Sequence, residues 1–127
     1  MKECKELINL AKLNHQKDIK RGTLRYLDND SLLNAIISEV YEVKEEIKEN
    51  NIAKLEDELS DIIWGWMMLV ENLKYLGLVR SHEDILKRGL KKYQERIIPL
   101  VGEAKIDEEI WQRVKKEQRE KLSKEKL

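Results

Sequence analysis

The chain has one cysteine, one proline, five glycines and no phenylalanine among its 127 residues. With Cys4 alone, no intrachain disulfide can form, and a reducing, cytoplasmic setting is expected. So little glycine and proline excludes the many reversals of an all-β fold. Charge of one sign is missing too, since 25 Lys plus Arg balance 25 Asp plus Glu. A general electrostatic footprint for nucleic acid is therefore absent, and no nucleic-acid partner is expected. The longest apolar run, Ile62 to Val70, falls far short of the ~20 residues that span a bilayer, so no membrane partner is expected either. The opening MKECKELINL carries charge at positions 2, 3, 5 and 6 and lacks the apolar core of a secretory signal.

What is present is apolar and charged at once. Hydrophobic residues make up 41% and charged residues 39%, the latter against about 25% in ordinary domains. Amphipathic helices segregate two such classes, so the reading is an all-α fold, and the length suits one domain of about 100–150 residues.

Five helices are expected. Cys4, Leu7, Ile8 and Ala11 recur at helical spacing and predict a first helix over about residues 3–16. Lys17 to Asp30 contains Gly22 and shows no period, so it reads as a loop. Ser31 is a plausible N-cap for a second helix reaching Asn50, with Leu32, Ile36, Val40, Val43 and Ile47 as its stripe. Asn50-Asn51 breaks the pattern, and a third helix follows from Ile52 to Leu76. Its middle, Ile62 to Val70, is apolar on every side and reads as the buried centre of a bundle. Ser81 with Asp84 opens a fourth helix with the stripe Leu86, Leu90, Tyr93 and Ile97, ended by Pro99. Asp107 is read as the cap of a last helix, and the charge-rich sequence from Gln112 onward as a solvated, frayed tail.

Chemistry is concentrated between Ser38 and Asp61, in Glu39-x-x-Glu42 and Glu58-x-x-Asp61. The spacing alone is weak, because Glu42/Glu45, Glu46/Glu49 and Glu117/Glu120 share it. The short break at Asn50-Asn51 strengthens it by forcing the two helices into an antiparallel hairpin. Counted from that turn at ~1.5 Å per residue, Glu39, Glu42, Glu58 and Asp61 reach nearly the same height. Four facing carboxylates repel one another, so they either hold protons or bind a cation. An all-oxygen set suits Mg²⁺, or Mn²⁺, and Mg²⁺ favours sites shared with phosphates. Glu39 and Glu42 are both candidates for the proton-handling role.

Arg88, Lys92 and Arg96 form an i, i+4, i+8 row on the fourth helix. The row can hold substrate phosphates, or it can be a solvated face paired with Glu95 and its neighbours. Trp64 and Gly65 admit two roles, contact with a base or core packing, and packing is favoured for the tryptophan. His15 and His82 sit in polar contexts and read as surface residues, while Cys4 reads as core.

The text Ser38-Glu39-Val40-Tyr41-Glu42, then Glu58-Leu59-Ser60-Asp61, then IIWGWMMLV, resembles the MazG-like all-α nucleoside triphosphate pyrophosphohydrolase superfamily. That superfamily carries Glu-Glu-x-x-Glu followed by Glu-x-x-Asp and an apolar helix. Here Ser38 stands in place of the first Glu. Ser31-Leu32, Lys92-Tyr93-x-x-Arg96, Pro99 to Gly102, and Trp111 followed by Lys115, Lys116 and Glu117 extend the likeness. It makes the chain a single domain over residues 1–127, with a core at 31–117 and a charged tail at 118–127.

The resemblance implies Mg²⁺-dependent cleavage of a nucleoside triphosphate to monophosphate and pyrophosphate. Dimeric deoxyuridine triphosphatases and phosphoribosyl-ATP pyrophosphatases are the related alternatives. A helical interaction module without activity is the alternative of another class. A homodimer or homotetramer is expected, with the third helix, including Met67 and Met68, at the contact that completes a four-helix core.

Overall fold

The computed structural model describes residues 1–125, so Lys126 and Leu127, the end of the expected tail, lie outside the described residues. The order is α1 (Lys2–Arg21), a 3₁₀ turn (Leu24–Leu27), α2 (Asn29–Glu46), α3 (Ile52–Tyr75), α4 (His82–Ile97) and α5 (Ala104–Ser123). Among the described residues there is no strand, and the fold is all-α. The chain divides into two compact units, Met1–His82 and the part from Glu83 on.

In the first unit, α2 and α3 form a helical hairpin, and α1 packs against α3. Ala11, Leu32, Met67 and Met68 make the core, with Cys4, Leu7, Ile8, Trp64, Trp66 and Leu69 packed on it. The first helix runs five residues beyond the expected end, to Arg21. The reason is that its inner face continues in polar residues, for Ala11, His15 and Asp18 are all buried at i, i+4, i+7. Asp18 takes the Arg21 guanidinium at 2.6 Å. Gly22 then ends the helix at φ 69°, a left-handed position where glycine carries no Cβ penalty.

His15 is thus a core residue and not a surface one. Its Nε2 meets Asn72 Oδ1 at 2.9 Å. Asn72, fully buried, donates its Nδ2 to the Leu27 carbonyl at 3.1 Å and to Asn29 Oδ1 at 2.8 Å. One side chain on α3 therefore pins α1, the 3₁₀ turn and the start of α2, and its polar atoms are satisfied as burial requires.

The cap of α2 is Asp28, three residues earlier than the expected Ser31. The Asp28 carboxylate accepts from the Ser31 amide at 3.0 Å and from its hydroxyl at 2.9 Å. The helix ends at Glu46, four residues before Asn50. Asn51 holds the turn by donating its Nδ2 to the Glu46 carbonyl at 2.8 Å and to its carboxylate at 2.6 Å. Asn50 takes the left-handed conformation at φ 54°, where asparagine is tolerated.

α3 is buried on one side only. Met67, Met68 and Val70 are enclosed, whereas Leu59 is 44% and Ile63 48% exposed. The expected all-round burial of residues 62–70 is corrected accordingly, and Met67 and Met68 belong to the unit's own core instead of an outer contact. His82, expected at the surface, is completely buried. Its Nε2 lies 2.9 Å from the Met67 carbonyl, and the Trp66 ring stands edge-on to it at 5.7 Å.

In the second unit, α4 and α5 are tied by polar side chains. Arg96 Nε donates to Gln118 Oε1 at 2.8 Å, and its guanidinium stands over the Trp111 ring at 5.3 Å. Gln118 Nε2 donates in turn to the Lys92 carbonyl and to the Glu95 carboxylate, each at 3.0 Å. The cap of α5 is Glu103, which accepts from the Lys105 and Ile106 amides. Asp107, the expected cap, instead accepts from the Val101 and Gly102 amides at 2.8 and 2.9 Å. The expected fraying from Gln112 does not occur, since the helix continues to Ser123.

Candidate metal centre

The hairpin delivers the carboxylates. Glu39 projects from α2, and Glu58 and Asp61 from consecutive turns of α3. One carboxylate oxygen from each lies within 4.8 Å of the other two. Two of these groups carry an oxygen, Glu39 Oε2 and Glu58 Oε2, that is buried without a hydrogen-bond partner. Buried carboxylate oxygens without a donor are costly and call for an explanation.

The electrostatics agree. Burial, first, raises Glu39 from 4.5 to about 7; the hydrogen bond and charge of Glu42 come next, then the charges of Asp61 and Glu58. Glu58 is raised in the same way, by burial first, then by Glu42, Asp61 and Asp57. Every charged neighbour behind these shifts is acidic. Glu42 is solvent-exposed at the rim and acts on both glutamates. Asp57, which the sequence reading passed over, adds its charge to Glu58; its only signal there was adjacency.

A divalent cation fits this donor set. It would satisfy the two unpartnered oxygens and offset the mutual repulsion at once. Three or four carboxylate oxygens leave room for water and phosphate oxygens in an octahedral shell, as Mg²⁺ prefers. No His or Cys joins the cluster among the described residues, which disfavours zinc.

The other predicted site residues are placed differently. The basic row lies in the unit from Glu83 on. Arg88 makes a two-pronged contact with Glu125 at 3.0 and 3.1 Å. Arg96 is only 8% exposed and is held by Gln118 and Trp111. Lys92 is exposed, with its ammonium 5.5 Å from the Tyr93 ring. Trp64 packs against the core of the first unit. A Cβ on Gly65 would lie 2.8 Å from Ile36 Cγ1, so this glycine lets α2 approach α3 closely.

Neither the curated proteins nor the solved structures give a match to the chain. A family model described as the MazG nucleotide pyrophosphohydrolase domain matches residues 27–101. The match takes in both acidic motifs, the hairpin that joins them and the whole of α4, and it stops before the Trp111–Glu117 stretch. Covering more than half of a 127-residue chain, it places the protein in a family, and the chain belongs to the MazG nucleotide pyrophosphohydrolase family.

Proposed function

We propose that the protein is a Mg²⁺-dependent pyrophosphohydrolase that converts a ribo- or deoxyribonucleoside triphosphate and water to the nucleoside monophosphate and pyrophosphate. The observation that carries this reading is the Glu39, Glu58 and Asp61 cluster, with its two buried carboxylate oxygens that lack a donor.

Glu39, Glu58 and Asp61 would hold the cation, with Glu42 at the rim as a fourth ligand or a neighbour. When bound, Mg²⁺ (or Mn²⁺) supplies positive charge to phosphate oxygens and makes the attacking water more acidic. The chain's own groups do the rest. Glu42, exposed beside Glu39 and Glu58, would accept the proton of the water. Glu39, whose carboxylate belongs to the same cluster, is the second candidate for that role. Holding triphosphate and water against fixed carboxylates replaces a bimolecular encounter with a positioned one.

The phosphate-holding role of Arg88, Lys92 and Arg96 belongs to the same proposal; Arg88 and Lys92 are exposed and Arg96 is buried. So do contact of Trp64 and Gly65 with the base, a single functional domain over residues 1–127, and a cytoplasmic location. Among the described residues no helix is long and apolar enough to cross a membrane. Assembly as a homodimer or homotetramer is supported by the apolar side chains the hairpin leaves outside, namely Leu33, Ile37 and Val40 on α2 and Leu59 and Ile63 on α3.

A nucleotide panel with and without Mg²⁺ tests the reading. Release of pyrophosphate and monophosphate in Mg²⁺ alone is the expected result. Release of inorganic phosphate instead would overturn the cleavage position. No release under any condition would favour the helical interaction module.

A further inference from the structure

We infer that Gly65 is a positioning residue for the carboxylate cluster: its missing side chain sets the separation of α2 and α3, and with it the size of the cation site. The inference rests on the metal reading of that cluster and adds a residue that does not touch the cation.

The placement is specific. Ile36 lies one helical turn before Glu39 on α2, and Gly65 lies one turn after Asp61 on α3. The hairpin runs antiparallel, so these two residues meet one level away from the carboxylates, on the side away from the turn. A Cβ at position 65 would sit 2.8 Å from Ile36 Cγ1 and only 3.9 Å from Ile36 Cα. The first distance is well inside van der Waals contact, and the second shows that the backbones themselves are close.

Ile36 has little freedom to yield. Cγ1 is fixed by χ1, and in a helix a β-branched side chain has one strongly preferred χ1 well. The near atom is the root of the side chain, not its flexible end. A methyl group at 65 must therefore turn Ile36 out of its rotamer or push the helices apart. Gly89, also within a helix, has nothing within 4 Å of its would-be Cβ, so the restriction at 65 comes from packing and not from helix geometry. Gly65 also weakens a helix interior that any alanine would favour, a cost consistent with a positional role.

Separation matters here because the ligands come from both helices, one from α2 and two from α3. Mg²⁺ demands near-ideal octahedral geometry at about 2.0–2.1 Å. A site of this kind tolerates displacements of only about 0.5 Å before it loses its ligands' convergence. Parting the helices one turn away moves Glu39 from Glu58 and Asp61 by a comparable amount.

The experiment is Mn²⁺ binding to the nucleotide-free enzyme, read by electron paramagnetic resonance, for the wild type, Gly65→Ala, Ile36→Ala and the double variant. Gly65→Ala is expected to weaken binding at least tenfold while circular dichroism shows the protein still folded. Removing the opposing side chain should restore it, bringing the double variant within about threefold of Ile36→Ala alone, a coupling that independent sites do not show. Wild-type affinity in Gly65→Ala overturns the inference and leaves the metal reading standing. A double variant as weak as Gly65→Ala also overturns it, since relief at Ile36 then has no effect. Absence of Mn²⁺ binding in the wild type overturns both, because no site would remain to be positioned.

Discussion

His82 Nδ1 faces Glu71 Oε2 at 3.9 Å, and both atoms are buried without a hydrogen-bond partner. The other ring nitrogen, Nε2, must donate to the Met67 carbonyl, because that oxygen can only accept. With Nε2 donating, Nδ1 turns a lone pair toward the Glu71 carboxylate, so two acceptors face each other across the contact. Glu71→Gln supplies an amide donor toward that lone pair and is expected to hold or raise stability. His82→Phe loses the bond to Met67 and is expected to cost about 1–3 kcal/mol. Urea denaturation midpoints at neutral pH check both, and a Glu71→Gln loss as large as that of His82→Phe would count against the two facing acceptors.

The raised Glu39 carboxyl makes stability depend on pH in the absence of metal. In the unfolded chain Glu39 ionises near 4.5, whereas in the folded chain it keeps its proton up to about 7. Between these values the folded state binds the extra proton, so stability falls as pH rises from about 4.5 to 7 and levels off above. The melting temperature in chelator should show this slope. Glu39→Gln should flatten it, and saturating Mg²⁺ should raise the melting temperature most at the alkaline end, where the carboxylates are charged.

Glu39→Gln and Asp61→Asn should each lower turnover at least about 100-fold. Neither should lower the metal-free melting temperature, because each removes a like charge from a crowded group. Pyrophosphate release together with calorimetry separates this from simple unfolding. Full turnover in both variants would remove the cluster from the active site.

Lys92 and Arg96 should part company. Arg96→Ala removes a buried guanidinium that serves Gln118 and Trp111, and about 1–3 kcal/mol of stability should go with it. Lys92→Ala should change stability by less than about 0.5 kcal/mol, as exposed sites do. If Lys92 meets a phosphate, kcat/KM should still fall by an amount equivalent to about 1.5–3 kcal/mol. Unchanged kinetics for Lys92→Ala would return the row to a surface role.

Assembly should respond to Ile63 and not to Met67. Ile63→Lys places a charge on the exposed face of α3 and should yield folded monomers in sedimentation velocity. Met67→Lys buries a charge in the core of the first unit and should unfold it. A monomeric wild type at low micromolar concentration would remove the oligomer from the proposal.

The helical class, the hairpin and the four acids were legible in the chain before any folding. Those features rest on periodicity, on the Asn50-Asn51 break and on equal counting from one turn, all of which are local. The bounds of α3 were legible to within a residue, because its apolar run is long and flanked by Asn51 and Gly77. The fate of polar residues on inward faces depends instead on partners brought in by packing. Asp18 extends α1 and His15 joins its core because Arg21 and Asn72 meet them there, and those partners lie outside any apolar pattern. His82 is buried because Met67, fifteen residues earlier, offers a carbonyl to its ring. Arg96 was drawn from the basic row into packing by Gln118 on the next helix. The convergence of Glu39, Glu58 and Asp61 required both levels. Spacing brings the acids to one height, and the close approach at Gly65 and Ile36 decides how near they stand, because interhelical distance is set by the side chains at the contact.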